Sequence, residues 1–378
     1  MHNTLIHKSI RILFVSAILL ASFGQIGRVQ ITSSLSFYGF EVLFGVVILL
    51  AFVGGYGSFL IGQIKKPGIA RSITIFFSWV FLTLLASFLF QKPTLVPILY
   101  FIRSCLYVLI LGLPWWMKQK KIQIQSVAAA FSMIFVFLTI LFHVFISDTR
   151  FLFWYGWDDH LGRVLTPLLD PAFGALVLIG IFFLSYQRRM TDSTRAFQFI
   201  TLVLLAGTFS RSGYIAWIVA HLVFIWTGKM RKELVWIPLF LMLIFLTPKP
   251  DGEGGKLART STILARTTTQ QSLLQKTSLK TILIGEGWYN YKSNTDSLIP
   301  NHATSADNSF LHVFVSAGIV GLVLFILIIT RAAVIAAPAE KAFILGAIIH
   351  SQFSNTLFYP WFFVMLLLFA MKKIMDDR

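Results

Sequence analysis

Four arginines, one carboxylate and a run of aromatic residues are the parts of this sequence that could do chemistry. Arg163, Arg211, Arg259 and Arg266 lie at or between long apolar stretches. A guanidinium carries a fixed charge on a planar fork, so it can grip two oxygens of a phosphate at once. Asp307, with His302 before it and His312 after it, can accept a proton from a hydroxyl held within hydrogen-bond reach. Trp288, Tyr289 and Tyr291 lie close by in sequence, and Trp154, Tyr155 and Trp157 precede Asp158, Asp159 and His160. Aromatic faces of this kind stack on sugars, and they also form the belts that anchor proteins at a membrane interface. Each polar candidate has a structural reading too. Arg211 suits a side chain snorkelling from a helix end, Arg259 and Arg266 suit a solvated helix face, and Asp307–Ser309 suits a helix N-cap. Capping and catalysis are compatible. Cys105 is the single cysteine, which excludes an intrachain disulfide and a cysteine metal cluster. There is no ATP-binding loop, dinucleotide glycine pattern or zinc motif. The acidic residues outside the apolar stretches show no metal-site spacing, so neither a metal nor a cofactor is expected.

The elements that must position these residues are apolar helices. Of 378 residues, 57% are hydrophobic and 12% charged, with 38 phenylalanines, more apolar surface than a soluble domain of this length can hide. The pattern predicts a single all-α polytopic membrane domain over 1–378. About twelve spans fall near 10–27, 35–54, 72–91, 95–114, 123–146, 169–186, 196–210, 213–228, 234–248, 308–330, 341–356 and 358–372, long enough in most cases for a hydrocarbon core of roughly 30 Å. The first resembles a signal peptide, but Ser22–Gly24 is a weak cleavage site, so a retained helix is expected. With the N-terminus inside, the short inner loops hold most of the 32 lysines and arginines, which predicts both termini inside and the long loop 249–307 outside. The net charge of +17 then records orientation and contact with anionic lipid, not nucleic-acid binding. Within the long loop, apolar pairs at Ile263/Leu264, Leu273/Leu274 and Ile282/Leu283 predict a helix, either amphipathic on the membrane surface or a lid. Glu41 and Arg103 fall within spans at matching depth and are expected to pair.

Three outer segments read together resemble the O-antigen ligase and polymerase superfamily of bacterial membrane glycosyltransferases. Thr208–Gly213, TFSRSG, is similar to that family's T-x-SR-small motif. Ile284–Tyr291, IGEGWYNY, is similar to its G-x-G-aromatic turn. In Asp307–Gly321, Asn308 is followed by nine residues, Gly318, two residues and Gly321, the spacing of the family's His-Asn element, with Asp307 standing where the family has histidine. Weaker likenesses are Arg163 with Leu169–Gly174, LDPAFG, and the closing segment His350–Trp361, HSQFSNTLFYPW. The likeness runs over about 160–370, with 195–330 as its core.

The resemblance implies a GT-C-like architecture in a bacterial inner membrane. It implies transfer of a glycan from a polyprenyl diphosphate carrier to an acceptor hydroxyl on the outer face. The leaving diphosphate would then be held by Arg211, Arg163 and Arg266, without a metal. Asp307 is the first candidate base and His302 the second, and Trp288, Tyr291 and Asn308 are candidate glycan contacts. Gly318 and Gly321 are expected to allow close packing behind the site. The leading expectation is a polymerase of lipid-linked repeat units, with membrane lipids and a chain-length regulator among its partners. The alternative is a ligase using a lipid A core or another acceptor. A transporter or lipid-linked sugar flippase expects midspan binding charges and an internal repeat; no repeat is visible, and Glu41 and Arg103 are the clear midspan charges.

Overall fold

In the computed structural model, the described residues are 2–32, 35–90, 95–122, 126–146, 162–186, 191–249, 256–257, 260–275, 277–290 and 306–376. The chain runs through α1 (His2–Ala21), a strand pair β1 (Arg28–Thr32) and β2 (Leu35–Tyr38), α2 (Gly39–Val53), α3 (Tyr56–Lys65), α4 (Ile69–Phe90), α5 (Leu95–Gln119) and α6 (Val127–Phe145). It continues with α7 (Pro171–Leu184), α8 (Asp192–Gly207), α9 (Arg211–Gly228), α10 (Trp236–Leu246), α11 (Ser261–Gln275), α12 (Leu279–Leu283), α13 (Ser309–Ile335), α14 (Pro338–His350) and α15 (Pro360–Asp376).

A helix occupies each of the twelve segments expected to be apolar helices. Among the described residues, four are long and apolar enough to cross a membrane: residues 69–89 of α4, and α5, α6 and α13. A fifth results if α2 and α3, bent by 83°, are counted as one span. By contrast α7, α10 and α14 have 14, 11 and 13 residues, short of the roughly 20 that span a hydrocarbon core. The outward surface is apolar, with Leu89, Trp226 and Phe245 82%, 83% and 80% exposed, a composition suited to lipid rather than water. Two elements differ from the sequence expectation. Strands β1 and β2 form an antiparallel pair with Arg28 opposite Tyr38, so the chain is not purely helical. Residues 56–65 form α3 after the Gly54–Gly55 break, where a loop was expected.

Helix α7 is the hub of the bundle. It is buried along nearly its whole length and packs against α14, α8, α15 and α9. Its far end is tied down by polar contacts. Lys372 of α15 donates to the Leu184 carbonyl at 2.7 Å. Glu233, buried before α10, accepts from the Tyr186 hydroxyl at 2.7 Å and the Trp236 indole at 2.8 Å, with Arg195 of α8 3.8 Å away. These contacts fix the end opposite the residues singled out above.

Helix α13 is interrupted at Gly318, whose φ of 67° and ψ of −171° lie in a region essentially reserved for glycine. The break turns three carbonyls outward. Glu286 N–H donates to Val315 at 2.8 Å and Gly287 N–H to Ser316 at 3.0 Å, while the Trp79 indole of α4 donates to Ala317 at 2.8 Å. The approach is reciprocal: a Cβ on Gly318 would overlap the Leu283 carbonyl, and one on Gly285 (φ +90°) would overlap the Ser316 carbonyl. The glycines thus serve turn-to-helix contact, and Gly321 sits against Trp79. Gly318→Ala and Gly285→Ala should each cost about 1–3 kcal/mol, read as a lower melting temperature of the detergent-solubilised chain. Gly45→Ala, with nothing within 4 Å of the added carbon, should be neutral or slightly stabilising. Unchanged melting of both lock variants would rule the interlock out.

Candidate functional site

Three helices begin at one rim of the bundle, each with a polar N-cap. Asp170 caps α7, accepting from Ala172 N–H at 2.7 Å and Phe173 N–H at 3.1 Å, with Pro171 opening the helix. Ser210 caps α9 through Gly213 N–H at 3.2 Å. Asn308 caps α13, accepting from Phe310 N–H at 2.8 Å and Leu311 N–H at 3.0 Å. Polar residues of this type start helices because their side chains satisfy amides that lack an intrahelical partner. The starts are joined by direct packing. A Cβ on Gly213 would meet Ala175 Cβ at 2.5 Å, so α9 lies tightly against the first turns of α7. Phe173 stacks on Tyr359 at 3.8 Å and lies 6.3 Å from the His350 ring. Ser309 N–H in turn donates to the Ser351 carbonyl at 3.1 Å.

The arginines divide by what they touch. Arg163 is buried; its Nε donates to the Thr208 carbonyl at 2.7 Å and Nη2 to the Phe209 carbonyl at 3.2 Å. It therefore closes the carbonyl end of α8, a position that favours positive charge, and holds the turn in which Phe209 adopts a φ of +47°. Two of its guanidinium nitrogens are thus engaged by backbone, which gives Arg163 a positioning role in this turn. Arg211, the first residue of α9, reaches toward the long loop and donates to the Leu257 carbonyl at 3.2 Å. Arg266 extends from α11, which docks through Leu273 against Ala306 and Val315, while Ile263, Leu264 and Leu274 stay exposed. The expected helix in the long loop is present, with one apolar side docked and another exposed.

Asp307 lies within electrostatic reach of two other charged side chains, Arg266 and Asp170. It is half-buried, and desolvation pushes its pKa above the ordinary carboxylate value; the Arg266 cation opposes that shift, and the Asp170 carboxylate adds to it. The same two charges, Asp170 and Arg266, act on His350 at the end of α14. His350 is buried, with Nδ1 2.6 Å from the Thr356 hydroxyl. Because Asn308 does the capping, Asp307 is not committed to it. Asn308 itself caps α13, and its Nδ2 also donates to Gln352 at 3.3 Å.

The turn after α12 carries the aromatic residues. Trp288 has no exposed surface; it packs edge-on against His312, Phe358 and Phe76 and its indole donates to Ser104 at 3.3 Å. It cannot stack on a sugar, which corrects that expectation. His312 is likewise buried, between Trp288, Tyr289 and Phe358. Tyr289, at φ +54°, stacks on Tyr100 at 4.2 Å. The expected Glu41–Arg103 pair is present, with Nε 2.6 Å from Oε1. His302, Tyr291, Arg259 and the 154–160 cluster lie outside the described residues.

Asp170 and His350 were not among the residues singled out by type. A local signal existed for Asp170, since Asp before Pro at the start of an apolar run is an N-cap pattern. For His350 the only signal was its place at the head of the HSQFSNTLFYPW segment, since its neighbours come from distant segments. No family model and no curated protein matches the chain.

A raised carboxyl pKa has a consequence for stability. A carboxyl whose folded value lies above its unfolded value favours folding at pH below the unfolded value, and that contribution is lost as pH rises through the folded value. Asp307→Asn, neutral at every pH, should therefore raise the melting temperature at neutral pH and give no such gain in acid. An equal effect at both would show that the carboxylate is not desolvated.

Proposed function

We propose that the chain is a membrane glycosyltransferase that polymerises polyprenyl-diphosphate-linked repeat units into a surface polysaccharide. The observation that carries this reading is the convergence at one rim of a desolvated carboxylate, Asp307, with Arg266 and the starts of α7, α9 and α13. Helix N-termini and arginines together favour an anion. A diphosphate leaving group needs such an environment, because its charge develops where water is scarce. The resemblance of TFSRSG, IGEGWYNY and the Asp307–Gly321 element to the O-antigen ligase and polymerase superfamily supports the same assignment. In this reading the twelve apolar segments lie in a bacterial inner membrane, both termini face the cytoplasm and the rim faces outward.

The chemistry is a single displacement. As the acceptor hydroxyl oxygen bonds to the anomeric carbon of the donor, Asp307 takes the hydroxyl proton. The bond from that carbon to the diphosphate oxygen breaks, and its electron pair leaves with the diphosphate. Arg266 and Arg211 hold that group, and Arg163 keeps the Thr208–Ser210 turn in register. A base held near its proton contributes about 10²–10⁴ in rate.

In cells whose surface glycan depends on this chain, Arg211→Ala and Arg266→Ala should abolish the ladder of glycan lengths while the protein stays at wild-type level. Asp307→Asn should slow polymer formation by about 10²-fold or more. Single repeat units left on the cell surface identify a polymerase. Polymer retained on the carrier lipid identifies the ligase instead. A wild-type ladder in both arginine variants would refute glycan transfer at this rim.

A further inference from the structure

Helices α13 and α14 follow one another through the short Ala336–Ala337 link, yet they pack on different neighbours. α13 lies on α4, while α14 lies on α9 and α7. An open groove of about 300 Å³ is left between the two. Ile329, Ala333 and Val334, in the last two turns of α13, form one wall. Leu345 and Ile348 of α14 form the other, and Lys341, in the first turn of α14, stands at its end. Lys341, Leu345 and Ile348 are spaced by four and three residues, so they share one face of α14. Seven residues of helix make that stripe about 10 Å long. Its outer edge is open, with Val334 70% exposed.

The cations near the link differ in what they face. Arg331 of α13 donates to the Ser72 hydroxyl of α4. Lys373 of α15 donates to the Ile335 carbonyl at 3.4 Å and acts on Glu340, whose carboxylate also takes the Ala337 amide. Lys341 is committed to neither kind of contact. It is half-buried in the groove and forms no salt bridge among the described residues. A lysine so placed lays its stem along apolar surface and keeps its ammonium at the polar boundary. An apolar slot with one ammonium at its end matches an amphiphile with a negative head. The carrier lipid of the glycan-transfer reading does not suit it, because that diphosphate belongs at the rim and Lys341 lies at the opposite end of α14.

We propose that the α13–α14 groove seats an anionic phospholipid of the inner leaflet. One acyl chain lies between Ile329 and Ala333 on one side and Leu345 and Ile348 on the other, and the phosphate rests on Lys341. The seat rests on the membrane orientation with both termini inside and not on glycan transfer. The lipid braces α13, whose head is at the rim, against α14 where the two helices otherwise answer to different neighbours.

The test is native mass spectrometry of the full chain in detergent, titrated with phosphatidylglycerol or with zwitterionic phosphatidylcholine. The wild-type chain should retain phosphatidylglycerol at least about fivefold better, the gain expected from one lysine at an anionic membrane surface. Lys341→Gln should bring that ratio close to one. Lys66→Gln, which removes an exposed lysine remote from the groove in sequence, should leave it unchanged. Ala333→Trp, which fills the slot, should weaken retention of both lipids. Lys341→Gln changes a half-exposed side chain, so it keeps the test decisive even if the tryptophan is not tolerated; melting checks the fold of each variant. A wild-type ratio in folded Lys341→Gln overturns the seat. Tighter binding of a polyprenyl phosphate than of phosphatidylglycerol, or a dimer that Ala333→Trp dissolves, gives the groove to another occupant and overturns it too. None of these readouts involves a glycan, so failure here leaves glycan transfer standing, and loss of glycan transfer leaves the lipid seat standing.

Discussion

The break in α13 at Gly318 is the constraint on which the outer face depends. A continuous helix would keep the carbonyls of Val315, Ser316 and Ala317 within its own ladder. Opened at Gly318, it presents them to the Glu286 and Gly287 amides and the Trp79 indole. The turn after α12 is thereby fastened to a helix that starts at the rim, and α11 is brought down beside it through Leu273. The two glycines that permit this contact sit on opposite sides of it, so neither backbone could approach if either residue carried a side chain. Trp288 then serves as the plug beneath the turn, which explains why the largest aromatic of the motif is wholly buried.

Above that plug the site is built from helix starts. Asp170, Ser210 and Asn308 each satisfy amides at the head of a helix, and the heads lie side by side because small residues let α9 pack tightly on α7. The division of labour at Asp307–Asn308 follows. The asparagine caps, and the aspartate is left half-buried within reach of the Arg266 and Asp170 charges. One cation among two carboxylates leaves Asp307 a better proton acceptor than an exposed aspartate, since burial disfavours its charged form. Arg163 contributes by holding the end of α8, so the turn carrying Arg211 is set by that guanidinium's bonds to the Thr208 and Phe209 carbonyls.

The opposite end of the bundle is held in a different way. Glu233 with Tyr186, Trp236 and Arg195, and Lys372 on the α7 carbonyls, knit α7, α8, α10 and α15 together. A second buried knot, the Glu41–Arg103 pair with the Tyr107 hydroxyl, ties α2 to α5.

Apolar runs and polar caps are local properties, and they were legible in the sequence: a helix occupies each expected segment, and Asp307–Ser309 reads correctly as a helix start. The Glu41–Arg103 pair was also legible, because two charges at matching depth in apolar helices have few other ways to be stabilised. The strand pair β1–β2 and helix α3 were not, since each is too short for its pattern to outweigh the neighbouring apolar runs. Tertiary structure alone decided which residues meet. Asp170, Arg266, Asp307 and His350 come from four separate segments, and no spacing rule relates them. It also decided that Trp288 is core, that Arg163 binds backbone and that Asn308 caps. A side chain's type is written in the sequence, but what it faces depends on how distant helices pack.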